Sequence, residues 1–345
     1  MRFLAPWLTL SLTVVAQNYT AVETSDHGVP VVRLADSEHG VEVGIAPSIG
    51  NIAYEMKVHG QNILYFPATD LSEFQQKPTL AGIPFLAPWG NRLDQQAFWA
   101  NGKKYAFDMT LGNVRGANPI HGLLSSSPYW RVTEVKADAR AAHVTSKLEF
   151  WKHPELMRQW PFAHEYEMTY TLADGELQVN IAVTNLSSDP MPLAIGFHPY
   201  FRIPGVPRND WVGRIPARQR VIADPHLIPT GQFKPMDLDD PFLLENRTLD
   251  DGFVDLEREP DGRARFYIAS SGKTVEVLFG PKWQAAVVWE PNDAKGQPQQ
   301  FICFEPMAGI TNAVNLYHEG KYADLQMVAP GGKWSESFWV RISGL

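Results

Sequence analysis

The chain has 345 residues, of which 44% are hydrophobic and 20% are charged, and its formal net charge is −8. A chain of this length can form one large β-sandwich or barrel with a sizeable core. The acidic balance disfavours nucleic acids and anionic membranes as partners, so a neutral small molecule is the better candidate.

The first residues have the pattern of a secretory signal. Met1 and Arg2 precede the apolar run FLAPWLTLSLTVVA, and the small residue Ala16 precedes the polar QNYT. This run is too short to span a bilayer comfortably, and the alternative to a signal is a buried N-terminal strand. We expect a signal peptide at residues 1–16 and a secreted or periplasmic mature chain, 17–345, without a membrane span.

Short apolar runs with a period of two recur through the rest of the chain, and this period is typical of β-strands. The early runs cover residues 40–46, 51–58, 130–136, 143–150, 165–172 and 177–185. The later runs cover residues 264–270, 274–280, 285–290, 301–305 and 336–342. The segment ADGE, between the runs at 165–172 and 177–185, predicts a hairpin.

The spacing of these runs predicts a single all-β domain, because 27 prolines and 26 glycines punctuate the chain and no linker divides it. An antiparallel sandwich or barrel is the expected architecture. Residues 67–128 and 202–250 are predicted to be long loops over one face of the sheets. The single cysteine, Cys303, excludes an internal disulfide.

A histidine ends one of the apolar runs. Strand alternation in LAIGFHPYF, residues 193–201, places His198 on the face that carries Ala194 and Gly196. These small residues either leave room for a ligand beside the imidazole or allow close packing of another sheet. Pro199 restricts the residue before it to extended geometry, so the imidazole should be held rigidly at a strand end.

Glutamates occur in the same setting. In FICFEP, Glu305 shares a strand face with Cys303 and precedes a proline, as His198 does. A positioned histidine and glutamate are candidates for an acid and a base, although both could be solvated strand-end residues. In VVWEP, Glu290 has the same setting, and periodicity does not distinguish Glu290 from Glu305.

Two loop motifs supply further polar side chains. PWGNRL contains Arg92 and NPIHGLL contains His121, each beside a residue that allows a tight turn. Arg92 could donate hydrogen bonds to hydroxyl groups or lie on the surface, and His121 could bond a ligand or the backbone. His121, His198 and Glu305 could in principle form a metal site, but the histidines lack H-x-H spacing, so we expect no metal.

Five motifs taken in order resemble those of the aldose 1-epimerase (galactose mutarotase) family. They are GIPFLAPWGNRL, NPIHG, GFHPYF, LDDGF and FICFEPMAGITNA, within residues 82–313. The resemblance implies a large antiparallel β-sandwich of the galactose mutarotase-like type. It also implies the interconversion of α and β anomers of a free aldohexose, such as galactose, by acid–base ring opening and reclosure without a cofactor.

The resemblance implies a role for each motif residue. His198 would protonate the ring oxygen, and Glu305 would remove the proton of the anomeric hydroxyl. Arg92 and His121 would bind near the ring oxygen and the neighbouring hydroxyls, and Asp250 would bind sugar hydroxyls.

At the aspartate the chain departs from the family pattern, because the sequence here is Leu249-Asp250-Asp251. Many mutarotases have an aromatic residue, an aspartate and a histidine at these positions. Asp251 is therefore an alternative to Asp250 as the sugar ligand.

Other functions use part of the same residue set. A glycosidase would need two carboxylates, such as Glu305 with Glu290 or Asp250. A non-catalytic carbohydrate-binding protein would need the hydroxyl-binding groups but no acid and base. An epimerase of hexose 6-phosphates is disfavoured by the predicted signal, because phosphorylated sugars are mainly intracellular.

N-terminal sequencing of the secreted protein should give a chain that begins near Gln17, because cleavage follows small residues such as Ala16. Replacing Ala16 with leucine should slow this cleavage. Secreted wild-type protein that retains Met1 would contradict the prediction.

Overall fold

The computed structural model describes residues 18–111, 113–245 and 247–345. The predicted signal at residues 1–16 lies outside these ranges. About half of the described chain is β-strand. The strands are β1 (Tyr19–Asp26), β2 (Val29–Asp36), β3 (Val41–Ala46), β4 (Ile52–Val58), β5 (Gln61–Asn62), β6 (Phe85–Leu86), β7 (Ala97–Ala100), β8 (Lys103–Ala106), β9 (Val114–Arg115), β10 (Asn118–Pro119), β11 (Arg131–Ala137), β12 (Ala142–Glu149), β13 (His164–Ala173), β14 (Glu176–Asn185), β15 (Met191–Leu193), β16 (Gly196–Phe197), β17 (Tyr200–Phe201), β18 (Val212–Arg214), β19 (Ala217–Ala223), β20 (Pro229–Pro235), β21 (Phe242–Leu243), β22 (Leu249–Leu256), β23 (Ala264–Ser270), β24 (Lys273–Phe279), β25 (Ala285–Glu290), β26 (Ile302–Met307), β27 (Gln326–Val328) and β28 (Lys333–Ser343).

Helical segments are short and lie between strands. The α-helices are α1 (Leu71–Gln76), α2 (Pro154–Met157) and α3 (Ala313–His318). Three-residue 3₁₀ segments occupy Met109–Leu111, Phe150–Lys152 and Arg208–Asp210. Within the described ranges, no helix is both long enough and apolar enough to cross a membrane.

Two large antiparallel sheets form the body of the domain, as the sequence predicts. One has nine strands in the order β11-β12-β13-β14-β28-β24-β23-β18-β21. The other has eight strands, β20-β19-β22-β25-β26-β16-β6 with β17 also paired to β26. A five-stranded N-terminal sheet, β1 to β5 in chain order, contacts β11, β12 and β13 through β1 and β2.

The predicted hairpin joins β13 and β14. Its two turn residues, Asp174 and Gly175, have φ values of 50° and 73°. Two consecutive positive φ values match the twist of a two-residue hairpin, and Asp-Gly adopts them readily. Side chains alternate along β13, so that its inward residues are buried: Tyr166, Met168, Tyr170 and Leu172.

The apolar core lies between the two large sheets. Phe197 of the eight-stranded sheet packs on Phe338 of the nine-stranded sheet at a centroid distance of 5.0 Å, and Phe304 packs on Phe266 at 5.5 Å. All four side chains are fully buried. Full burial of a phenylalanine stabilises a protein by about 1.5–3 kcal/mol, so these contacts fix the two sheets face to face.

The centre of the eight-stranded sheet differs from the prediction for residues 193–201. These residues form separate short strands, of which β16 pairs Gly196 with Met307 and β17 pairs Tyr200 with Cys303 of β26. Between them the His198 amide donates to the Pro84 carbonyl at 3.0 Å, which extends the pairing of β16 with β6. Cys303 is buried, and burial raises the pKa of its thiol well above the usual range.

The loops predicted at residues 67–128 and 202–250 contain regular structure instead. The first region holds α1 and β6 to β10, and the second holds β18 to β21 and the start of β22. Strands such as β6, β9 and β10 have two residues each, which is too short to show a period. β20 is an edge strand with mostly exposed side chains, so it lacks apolar alternation.

Gly196 packs closely against β26. A Cβ atom on Gly196 would overlap Met307 Sδ and would lie 2.9 Å from the Pro306 carbonyl oxygen. Ala194 is also packed, since its carbonyl accepts a hydrogen bond from the Gly90 amide at 2.6 Å. Of the two alternatives for the small residues near His198, Gly196 therefore fits close packing and leaves no room for a ligand at its own position.

Gly196→Ala should lower the free energy of unfolding by about 1–3 kcal/mol, the usual cost of overpacking a core. Urea denaturation of the two proteins measures this difference. Adding Met307→Ala makes room for the new methyl group, so the double variant should lose less stability than the sum of the single losses. An alanine variant as stable as the wild type would contradict this packing.

Candidate active site

A cavity of about 430 Å³ lies beside the eight-stranded sheet and is lined by side chains from distant parts of the chain. The five residues predicted from sequence all line it: Arg92, His121, His198, Asp250 and Glu305. The volume is in the range of small-molecule sites, and the lining is rich in polar groups. The fold therefore brings the predicted residues together in one place.

The pairing of β26 with β16 and β17 determines where two of these residues meet. The register that pairs Gly196 with Met307 and Tyr200 with Cys303 puts His198 directly across from Glu305. Side chains directly opposite each other on antiparallel strands lie close together. His198 Nε2 is 3.3 Å from Glu305 Oε1, and both side chains are almost completely buried.

Glu305 lies within its strand, which corrects the prediction that it would lie at a strand end. β26 continues through Pro306 to Met307, and Glu305 pairs with Val287 of β25. Because strands flank β26 on both sides, the carboxyl group is held in the middle of the sheet. Neighbouring strands on both sides, rather than Pro306 alone, fix its position.

Burial moves the pKa values of this pair in opposite directions. Burial lowers the pKa of His198 to about 3. It raises the pKa of Glu305 well above the usual range, and the charge of Asp250 adds to this effect while that of Arg92 opposes it. Both shifts favour the uncharged forms, in which the pair holds a single proton, carried by Glu305.

Unpaired polar atoms remain in the cavity wall. Glu305 Oε2, His198 Nδ1 and His121 Nδ1 are buried, and none of them has a hydrogen-bond partner among the described residues. Buried polar groups normally find a partner, so such atoms in a cavity wall are candidates for ligand binding.

Aromatic neighbours hold the His198 ring. Tyr200 stacks on it at a centroid distance of 4.8 Å, and the Trp289 and His121 rings meet it edge-on at 5.5 and 5.3 Å. These contacts restrict the orientation of the imidazole, whose Nε2 is directed to Glu305.

His121 reaches the cavity from a tight turn after β10. Its φ is 59°, that of Gly122 is 63°, and its amide donates to the Asn91 carbonyl at 3.0 Å. Burial lowers the pKa of His121 well below its usual value, and the positive charges of Arg92 and Arg115 add to this effect. The ring is thus neutral, with Nδ1 available to a ligand.

Arg92 is buried, so it is not the surface arginine that was the alternative from sequence. Its Nη1 donates to Asn91 Oδ1 at 3.0 Å and its Nη2 donates to Asp250 Oδ2 at 3.4 Å. Asn91 Oδ1 also accepts the Arg92 amide, at 2.8 Å. The Asn-Arg sequence therefore fixes the guanidinium, and burial raises the pKa of Asp250 although Arg92 opposes the shift.

The structure separates the two adjacent aspartates. Asp250 pairs in register with Trp289 and lines the cavity. Asp251 is paired with Arg220 at 2.8 Å and faces a second cavity of about 360 Å³, which Arg92 and Asp250 also line. Of the two aspartates, Asp250 is therefore the one that lines the candidate active site.

Glu290 does not reach the cavity. It is fully buried at the end of β25, and neither carboxylate oxygen has a hydrogen-bond partner in the part of the chain that the structure describes. Burial raises the pKa of Glu290 to about 7, although the charges of Arg208 and Arg247 oppose the shift. Glu290 and Glu305 share a sequence pattern, but only Glu305 lies beside His198.

Sequence reasoning missed several residues of the cavity wall. Tyr200 follows His198 in HPYF, and Trp289 precedes Glu290 in VVWEP. The remaining polar groups in the wall include Asn91, Asn113, Arg115, Ser125 and Ser126. In the described ranges, no group of three or more His, Cys, Asp and Glu side chains is arranged to hold a metal ion.

The antiparallel sandwich and its buried imidazole–carboxyl pair define a galactose mutarotase-like protein. The aldose 1-epimerase family model matches residues 31–341, and the chain belongs to this family.

Solved structures show the same fold. A galactose mutarotase-like protein from Clostridium acetobutylicum has a TM-score of 0.82 at 23% identity, over 95% of this chain and 99% of that protein. Galactose 1-epimerase from Lactobacillus acidophilus NCFM has a TM-score of 0.72 at 13% identity, over 95% and 99% of the two chains. At these identities the likeness establishes the fold.

Two proteins of Escherichia coli (strain K12) are similar in sequence. The uncharacterized protein YihR is 29% identical over 146 residues, which are 42% of this chain and 44% of YihR. The uncharacterized protein YphB is 24% identical over 201 residues, which are 54% of this chain and 63% of YphB. The matches thus span about half the length of these curated relatives.

Glu290→Gln should make stability less dependent on pH. A buried carboxyl with a raised pKa binds its proton more tightly in the folded state, so its contribution is present below the unfolded pKa near 4.5 and is lost as the pH rises through about 7. The wild type should lose roughly 3 kcal/mol relative to the variant over this range. Urea denaturation of both proteins from about pH 5 to about pH 8 tests this, and a constant difference would contradict it.

Proposed function

We propose that the protein is an aldose 1-epimerase that interconverts the α and β anomers of a free aldohexose. The observation that carries this proposal is the 3.3 Å approach of His198 Nε2 to Glu305 Oε1 in the wall of the cavity. Ring opening needs a proton on the ring oxygen and the removal of a proton from the anomeric hydroxyl. Because both oxygens are bonded to the same carbon, one adjacent acid and base can reach both.

The reaction follows from this geometry. The Glu305 carboxylate accepts the proton of the C1 hydroxyl while the His198 imidazolium donates a proton to the ring oxygen, and the bond from C1 to that oxygen breaks. The resulting aldehyde rotates about the C1–C2 bond. Reclosure on the other carbonyl face returns both protons and gives the other anomer, without any redox change.

The buried environment suits the ring-opened stage. Ring opening leaves His198 neutral and Glu305 protonated, which is the pair of uncharged forms that burial favours. The reaction begins with a His198 imidazolium and a Glu305 carboxylate. This charged pair carries the same number of protons as the uncharged pair. A proton shift within the pair is therefore enough to prepare the site for a closed sugar ring.

The other wall residues supply hydroxyl ligands. Arg92 and Asp250 present a fixed donor and a fixed acceptor, and neutral His121 presents Nδ1. Positioned groups of this kind hold a substrate in a reactive geometry. A carbohydrate-binding protein without catalysis would use these three residues but would have no need for the buried pair of His198 and Glu305.

We also propose that the protein acts outside the cytoplasm, on unphosphorylated sugar. The signal-peptide pattern of residues 1–16 supports this proposal. Comparing glucose with glucose 6-phosphate as substrates distinguishes it from the epimerase of hexose 6-phosphates, for which the phosphorylated sugar would be preferred.

Wild-type protein should accelerate the mutarotation of freshly dissolved α-glucose or α-galactose, measured by polarimetry or proton NMR. Glu305→Gln keeps the shape but cannot accept the proton, and His198→Asn removes the acid. Each change should lower kcat by about 10²–10⁴-fold.

Glu290→Gln is the matched control, since it alters a buried glutamate before a proline outside the cavity, and its activity should be close to wild type. A large loss in this control with little loss in Glu305→Gln would reverse the assignment of the base. Sugar binding by a wild-type protein that does not accelerate mutarotation would favour the non-catalytic alternative.

A further inference from the structure

Three Asn-x-Ser/Thr triplets occur in the chain, and they begin at Asn18, Asn185 and Asn246. In secreted proteins this triplet accepts an N-linked glycan, which is bulky and must lie on the surface. Asn246 lies outside the described ranges. The other two asparagines differ in burial and in the hydrogen bonds of their side-chain amides.

Asn18 is exposed to solvent immediately before β1. Thr20, which completes the triplet, is exposed as well, whereas Tyr19 between them is buried. This is the alternation of an extended chain, in which residues two positions apart share a face. The Asn18 carbonyl accepts the Ser37 amide at 2.9 Å, so the backbone is paired at this position. The Asn18 side chain thus projects outward from an ordered backbone.

The Asn18 amide can keep its surface contact after glycosylation. An asparagine Nδ2 has two hydrogens, and an N-linked glycan replaces one of them. One hydrogen of Asn18 Nδ2 donates to Glu38 Oε2 at 2.7 Å, and Nδ2 has no second acceptor in the described part of the chain. The hydrogen that remains can therefore still bind Glu38 while the glycan extends into solvent.

Asn185 is fully buried at the end of β14, and both of its amide hydrogens are in use. Its Nδ2 donates to the carbonyl oxygens of Asp189 and Val328, each at 2.9 Å. Its Oδ1 accepts the Ser187 amide at 2.9 Å. A glycan would remove one donor, leave a carbonyl without its partner and place a large polar group inside the fold. The native structure therefore needs Asn185 unmodified.

We propose that Asn18 carries an N-linked glycan and that Asn185 stays unmodified in the folded protein. The inference rests on the proposed location outside the cytoplasm and is independent of the proposed reaction. The glycan donor is an oligosaccharide attached to a lipid diphosphate in a membrane of the secretory pathway. A bond forms from Asn18 Nδ2 to the anomeric carbon of the oligosaccharide, the bond from that carbon to the diphosphate oxygen breaks, and one Nδ2 proton is released.

The test uses the full chain, secreted from a eukaryotic host, with its glycans mapped by mass spectrometry. Release with peptide N-glycosidase F in heavy-oxygen water leaves a labelled aspartate at each modified asparagine, so Asn246 is scored separately from the other two. Asn18 should be labelled in most of the secreted wild-type protein, and Asn185 should not be labelled in any of it.

Two variants remove the acceptor in different ways. Asn18→Gln keeps an amide but has no acceptor asparagine, and Thr20→Ala removes the hydroxyl that completes the triplet. Each should abolish the modification at position 18 and lower the intact mass by one glycan. Each should leave kcat/KM for mutarotation unchanged, because neither residue lines the candidate active site. Asn185→Gln is the matched control, which should leave the glycan mass unchanged but lower the urea midpoint of unfolding.

An unlabelled Asn18 in secreted wild-type protein overturns the proposal, and so does a labelled Asn185 in protein that unfolds at the wild-type urea midpoint. If the chain is retained in the cell with Met1 in place, the proposed location is wrong, and residues 17–345 are then secreted behind a leader of known function. A label on Asn18 in that protein supports the glycan site, and its absence overturns it.

Discussion

The register of β26 between its neighbours is the constraint on which the site depends. Pairing on one side places His198 across from Glu305, and pairing on the other side places Trp289 beside Cys303. β22 then adds Asp250 in register with Trp289. A slip of one residue in any of these pairings would turn a side chain to the opposite face of the sheet. The hydrogen-bonded ladder therefore holds the site together, because it places His198 beside Glu305.

Burying ionisable side chains at this place costs free energy, and the large apolar core offsets this cost. Glu305 and Glu290 are fully or almost fully buried carboxyls, and Arg92 is a buried guanidinium. Burial without full pairing destabilises charged groups, and the raised pKa values of the two glutamates express that cost. For Glu305 the same burial places the carboxyl group beside the His198 imidazole, the pair that the proposed reaction uses. Glu290 has no catalytic neighbour, and its raised pKa shows that a perturbed ionisable group is not by itself evidence of a site.

Local sequence signals predicted the strands well and the site only in part. The period of two identified most of the long strands but not β1, β2, β19, β20 or β22, and the segment ADGE identified a hairpin, because these features depend on nearby residues. The choice between Glu290 and Glu305 could not be made by periodicity, since it depends on which strand pairs with residues about 100 positions earlier. The motif resemblance supplied that non-local information. Two-residue strands and the packing partner of Gly196 were missed because they exist only in the assembled sheet.

The single buried cysteine bears on the redox conditions under which the chain can fold. Cys303 has no second cysteine with which to form a bond, and its thiol is enclosed between strands with a raised pKa. A buried, protonated thiol reacts slowly with oxidants and with other thiols. The covalent structure is thus the same under reducing and oxidising conditions. A polypeptide with this property can reach its native state on either side of a membrane, independently of enzymes that make or exchange disulfides.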